Sequence, residues 1–89
     1  MKLFVVSVKD NAAQMFGRPI FVPALGLANR QFSDEVNRAA EDNQYYKHPE
    51  DFDLYHLGVF DDETGLFELL TFPKILARGV EVVTDVKHV

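Results

Sequence analysis

Residues 54–71 read LYHLGVFDDETGLFELLT, and the reading of this stretch decides the fold. Leu54–Phe60 alternates in strand fashion, with Leu54, His56, Gly58 and Phe60 on one side and Tyr55, Leu57 and Val59 on the other. Asp61–Gly65 (DDETG) is an acidic turn closed by a glycine suited to positive φ. Leu66–Thr71 (LFELLT) returns as the partner strand, so the economical reading is a β-hairpin. A hairpin alone is marginal in water, and further strands or a helix must complete it.

The rest of the chain supplies both. Leu3–Lys9 (LFVVSVK) is rich in β-branched residues and predicts a strand, with an apolar face of Phe4, Val6 and Val8. Asp10–Gly17 reads as a loop, and Arg18–Val22 (RPIFV) as a second short strand with Pro19 at its start or at a sheet edge. Pro23 can open a helix. From there Leu25, Ala28, Phe32, Val36 and Ala39 recur every three or four residues as one apolar stripe ending near Asp42–Asn43. Asp34 and Arg38 lie one turn apart on its polar side. Pro49 turns the chain after His48, and Glu50–Asp51 begins a tight turn. Pro73–Arg78 (PKILAR), closed by Gly79, reads as one or two helical turns, followed by Val80–Val83 as an edge strand or docked tail. The expected fold is α+β in β-β-α-β-β order: a small antiparallel sheet of about four to five strands, with one amphipathic helix packed on one face. At 89 residues it forms a single domain, 1–89.

Composition bounds the function. Hydrophobic residues make up 47% of the chain, with eight Phe and three Tyr, which excludes a disordered polymer. Cysteine is absent, and with it disulfides, thiolate nucleophiles and cysteine-bound zinc. The apolar runs fall far short of the ~20 residues of a membrane span, and the start MKLFVVSVKD reaches charge before any signal core develops. The chain therefore reads as soluble and cytoplasmic, with no membrane partner. Its net charge of −5 argues against broad, charge-driven binding of nucleic acid. The signs are unevenly placed, however. Lys2, Lys9, Arg18 and Arg30 face one acid, Asp10, in the first 33 residues, and most carboxylates follow in the middle of the chain.

The acidic segment His48–Gly65 invites a metal or acid–base reading. His48, Glu50, Asp51, Asp53 and His56 are ligand types, but neither H-E-x-x-H nor an EF-hand pattern is present, and strand alternation points Asp53 and His56 apart. Asp61, Asp62 and Glu63 belong to a solvated turn tip. The serines are Ser7 and Ser33; no G-x-S-x-G and no phosphate loop appears, and His48, His56 and His88 lack a partner pattern. The sequence therefore predicts neither metal, cofactor nor catalysis.

The run KHPEDFDLYHLGVFDDETG at Lys47–Gly65, with RQFSDEVN at Arg30–Asn37 and the opening MKLFVVSVKD, resembles the small nonstructural protein of gokushovirus-type microviruses, which are single-stranded-DNA phages. The resemblance rests on His48, Pro49, Glu50, Asp51, Phe52, Leu54, Tyr55, Gly58, Phe60 and Asp61, and it weakens after Leu70. It implies an early phage protein of the host cytoplasm, outside the virion. It further implies binding of single-stranded DNA and a part in the switch from duplex genome copying to single-stranded genome synthesis. It brings no catalytic residues.

Binding single-stranded DNA needs cations along the phosphates and aromatic faces for the bases. Candidates are Lys2, Lys9, Arg18, Arg30 and Arg38, with Phe16, Tyr45 and Tyr46. Phe21 reads first as a core residue of its strand. The alternative is an acidic protein–protein adaptor that grips the phage replication initiator or a host replication factor. Open strand edges also predict a homo-oligomer, a dimer or higher, paired through Leu3–Lys9 or Val80–Val83.

Overall fold

The computed structural model describes residues 1–84, so His88 lies outside the described residues. The elements are β1 (Lys2–Asp10), β2 (Met15–Phe16), β3 (Ile20–Val22), α1 (Leu25–Val36), α2 (Gln44–Lys47), β4 (Phe52–Asp61) and β5 (Leu66–Arg78), with single 3-10 turns at Pro49–Asp51 and Gly79–Glu81. All strand pairs are antiparallel. The sheet runs β2-β1-β4-β5, and β3 pairs with β1 on the same side as β2. The expected sheet with one long helix is present. Its order gains a two-residue strand, Met15–Phe16, where a loop is predicted: Asp10 Oδ1 accepts from the N–H of Ala12 and Ala13, and this tight turn brings Met15 opposite Asp10.

The hairpin forms as read. Its turn holds Gly65 at φ +76°, and the Gly65 N–H donates to the Asp61 carbonyl at 2.7 Å. The returning strand does not stop at Thr71. β5 continues to Arg78, with Lys74 opposite His56, Ile75 opposite Tyr55 and Ala77 opposite Leu54. The helical turns expected at Pro73–Arg78 are absent because cross-strand pairing outweighs a short local helix preference. Pro73 is tolerated because Leu70–Pro73 bulge opposite Leu57, where no ladder bond is required.

Leu57 is the pivot of the sheet. Val5 pairs with Gly58 and Val6 with His56, so Leu57 is an extra residue on the β1 side as well. Such a bulge flips alternation. His56 therefore faces α1 with Val6, whereas Gly58 and Phe60 face away with Val5 and Leu3. The simple alternation, which groups Leu54 and His56 with Gly58 and Phe60, fails at this residue. The His56 Nε2 lies 3.0 Å from the Gly58 carbonyl across the bulge.

The core lies between the sheet and α1. Val6, Val22, Ala28, Phe32, Val36, Phe52 and Leu54 are buried there, with Leu25, Tyr45, Ala77, Val82 and Val83 packed against them. The predicted stripe is correct for Ala28, Phe32 and Val36, but α1 ends at Val36 and Ala39 is exposed. Asparagines end it. Asn37 Nδ2 donates to the Ser33 carbonyl (2.8 Å) and to the Val82 carbonyl (2.9 Å), and Asn43 Nδ2 donates to the carbonyls of Glu35 and Arg38 (2.8 Å each). Side-chain donors thus satisfy carbonyls that a longer helix would have bonded. Val80–Val83 is a docked tail rather than a strand. β1 is paired on both sides, so neither segment expected to join copies is an open edge. The long open edge is β5, and the short strands β2 and β3 form the opposite edge.

Candidate functional site

Strand register divides the sheet into two faces, because residues opposite each other in an antiparallel pair point the same way. One face meets α1. The other carries Leu3, Val5, Ser7 and Lys9 from β1, Phe16 from β2 and Phe21 from β3. From β4 and β5 it carries Asp53, Tyr55, Phe60, Phe67, Leu69, Ile75 and Arg78. Among the described residues no helix covers this second face.

Five aromatic rings lie on it in two groups. Phe16 meets Tyr55 edge-on, with centroids 5.2 Å apart. Phe21 stacks on Phe60 at 5.2 Å, and Phe67 packs on Phe60 at 4.7 Å and on Phe21 at 6.1 Å. Phe16, Phe21 and Phe67 are 40%, 46% and 52% exposed. Phe21 is therefore not a core residue: opposite Val5, it lies on the face without the helix. The Lys9 ammonium stands 5.6 Å from the Phe16 ring centre in a cation–π contact. Asp53 accepts from Asn11 Nδ2 at 2.9 Å and faces Lys9 and Arg78 across the ladder. By register this face carries two cations and one carboxylate, a local balance opposite in sign to that of the whole chain.

The residues singled out from sequence scatter over the molecule. Lys9 and Phe16 come together on the aromatic face. Lys2 lies toward the acidic hairpin tip, with Nζ 3.5 Å from Glu68. Arg38 forms a bidentate pair with Glu35 (Nε to Oε1 2.9 Å, Nη2 to Oε2 2.8 Å), not with Asp34. This pair holds the Glu35 carboxyl below the usual carboxylate range and raises the Arg38 guanidinium. Arg30 is exposed on α1, and Arg18 lines a cavity of about 220 Å³ with Gln31, Phe32, Glu35 and Tyr45 on the helix side of the sheet. Tyr45 packs on Phe52 (4.5 Å) and Phe32 (6.2 Å), so its ring belongs to the core side, and burial pushes its hydroxyl above its ordinary pKa. Tyr46 is half-buried beside it in α2. Sequence reasoning missed Tyr55, Phe60, Phe67 and Arg78. The available signal was Gly58 inside a strand pattern, which marks a bulge and hence a change of face.

Two groups have ligand atoms within 4.8 Å of one another, His48 with Glu50 and Asp51, and Asp61 with Asp62 and Glu63. In the second, Asp62 and Glu63 each lie 2.8 Å from the Met1 amino group, whose pKa they raise. Both are exposed acidic clusters of the kind that solvated surfaces carry without a metal.

Comparison with known proteins adds the lineage. The family model described as Phage ORF5 protein matches residues 3–82. The chain belongs to this phage ORF5 family. It is 35% identical over 69 residues to "Protein ORF5" of Chlamydia phage 1, covering 75% of this chain and 72% of that protein. This agrees with the gokushovirus-type resemblance carried by His48–Asp61. The family match also runs through Pro73–Arg78 and the docked tail, where the sequence resemblance was weakest. No solved structure matches the chain. Among the described residues no helix is long and apolar enough to cross a membrane.

Proposed function

We propose that this ORF5 protein is an early nonstructural protein of the host cytoplasm that binds single-stranded DNA on the helix-free face of its sheet. In that role it acts in the switch from duplex genome copying to single-stranded genome synthesis, as a binding protein rather than an enzyme. The observation that carries the reading is the open row of Phe16, Tyr55, Phe21, Phe60 and Phe67, with Lys9 and Arg78 at its Phe16–Tyr55 end. Aromatic faces stack bases without regard to sequence, at about 1–3 kcal/mol per base. With so few cations the affinity comes mainly from stacking, and each phosphate contact adds only about −0.7 to the slope of log K against log salt.

Fluorescence anisotropy of a labelled oligo(dT) tests this directly. Binding should be saturable, with a salt slope of about −2 or shallower. Phe67→Ala and Phe16→Ala should each weaken it by roughly 5- to 100-fold, whereas Arg38→Ala should leave it unchanged. A flat titration at low salt and high protein concentration would dispose of the proposal.

The adaptor reading keeps one observation of its own, the net charge of −5 on a protein that also exposes apolar side chains. Recovery of the replication initiator from infected cells after nuclease treatment, from a protein that ignores oligo(dT), would favour it.

A further inference from the structure

β5 departs from what an edge strand normally shows. Of its 13 residues, the ten from Leu66 to Ile75 are all exposed. Six of them are large hydrophobics: Leu66, Phe67, Leu69, Leu70, Phe72 and Ile75. Phe72 at 77% and Leu69 at 68% are the most exposed large apolar side chains among the described residues. At about 200 Å² per large side chain, these six leave on the order of 600 Å² of apolar surface in water. That is close to the ~800 Å² each partner contributes to a standard interface. Long, apolar, unpaired edges are what monomeric proteins avoid.

The sequence of β5 also complements itself. We infer that two copies of this chain pair antiparallel along β5, about a two-fold axis at Thr71. In this register Glu68 lies opposite Lys74 of the second copy and Phe67 opposite its Ile75, on either side of the Leu70–Pro73 bulge. The faces agree. Glu68 and Lys74 both point to the helix side, through their partners Val59 and His56, while Phe67 and Ile75 both point to the aromatic side, through Phe60 and Tyr55. Opposite charges meet twice, once on each side of the axis, and the acidic tip around Glu63 comes near Arg78 of the second copy. Pro73 lies in the Leu70–Pro73 bulge, outside the regular pairs, so its missing N–H interrupts no ladder bond between the copies. Neighbouring registers are worse: a centre at Leu70 sets Glu68 against Phe72 and Lys74 against Leu66, and one at Phe72 sets Glu68 against Leu76 and Lys74 against Leu70, so neither pairs opposite charges. The axis stands perpendicular to the sheet, so the two aromatic faces lie on the same side as one continuous platform. The pairing itself does not depend on what that platform binds.

Charge reversal tests the register. Sedimentation velocity of the full chain at tens of micromolar should give a dimer. Glu68→Lys and Lys74→Glu should each raise the dimer Kd by about 10- to 30-fold, and the double variant E68K/K74E should return it to near the wild-type value. Both side chains are exposed, and circular dichroism verifies that the variants fold. Phe72→Asp should leave a monomer. A wild-type monomer at about 100 µM overturns the inference, as does a double variant no tighter than either single one. Oligo(dT) binding by the monomeric variants, measured separately, reports on the DNA reading alone.

Discussion

Asn43 is the residue whose replacement tests the account of the fold most sharply. It is 4% exposed and joins α1 to α2. Its Nδ2 donates to the carbonyls of Glu35 and Arg38 at 2.8 Å each, and its Oδ1 accepts from the Tyr45 N–H at 3.1 Å. Asn43→Ala removes all three bonds. The Glu35 carbonyl keeps the Arg38 N–H at 3.2 Å, but the Arg38 carbonyl and the Tyr45 N–H lose the partner the side chain provides. At roughly 1–1.5 kcal/mol for each stranded group, plus the lost cap, the cost is about 3 kcal/mol. A domain of this size has a total stability of roughly 4–13 kcal/mol. The melting temperature should therefore fall by roughly 12–24 °C. Asn43→Asp separates the two halves of the role. It keeps the N-cap oxygen for Tyr45, at which an aspartate is as good as an asparagine, but it turns an oxygen toward two carbonyl oxygens. If donation to the end of α1 is what matters, N43D is as damaging as N43A. Urea unfolding followed by circular dichroism measures both, with an unchanged m-value required. An N43D protein within about 0.5 kcal/mol of wild type would show that Asn43 is merely the N-cap of α2, and the explanation of why α1 stops at Val36 would fall.

Two glycines should respond in opposite directions. A Cβ at Gly26 in α1 meets nothing within 4 Å, so Gly26→Ala should stabilise by about 0.5–1 kcal/mol. A Cβ at Gly79 would stand 2.2 Å from the Pro49 carbonyl oxygen and 2.5 Å from that of Phe52, so Gly79→Ala should cost about 3 kcal/mol or prevent folding; urea melts of the pair check the contrast. Tyr45 gives a pH dependence. Burial raises its pKa in the folded state, so its stabilising effect is complete below the unfolded value of about 10 and is lost as pH rises through the folded value. Thermal melts should show an alkaline loss of stability starting near pH 10, and Tyr45→Phe should shrink it while changing little at pH 7.

What the sequence allowed to be read was local chemistry. The DDETG turn, the β-branched run of β1 and the spacing Ala28–Phe32–Val36 each act over a few residues, and each forms as read. The larger failures are long-range. PKILAR satisfies a helix pattern on its own and becomes strand only because β4 offers it a ladder. The helix stripe runs on to Ala39 in sequence, but the Asn43 side chain, eight residues from Glu35 and five from Arg38, takes over bonds that would have extended it. The candidate site suffered most. Its aromatics come from four strands, and the pairing that gathers them depends on the bulge at Leu57, which Gly58 signals but whose register the neighbouring strands set. Picking cations by position in the chain found Lys9, but it also selected Arg38, which Glu35 neutralises, and Lys2, which lies by Glu68.

An acidic chain can still present a surface that accepts phosphate, because charge acts over limited distances. Ionic screening at physiological salt reduces interactions between exposed charges beyond about 8 Å, and the molecule is 49 Å long. The carboxylates concentrate at the hairpin tip (Asp61–Glu63), in the connection after α1 (Glu41, Asp42) and in the 3-10 turn (Glu50, Asp51). On the aromatic face Asp53 stands between Lys9 and Arg78 and is already bonded to Asn11. On the proposed reading, a strand of DNA lying across the rings meets the two cations at the Phe16–Tyr55 end, while the Asp61–Glu63 tip adjoins the Phe60–Phe67 end. On that reading stacking rather than charge sets the affinity. For the proposed role of holding single strands without competing for duplex, such a surface is physically suited: the bases of a duplex are already stacked on one another and cannot reach the rings.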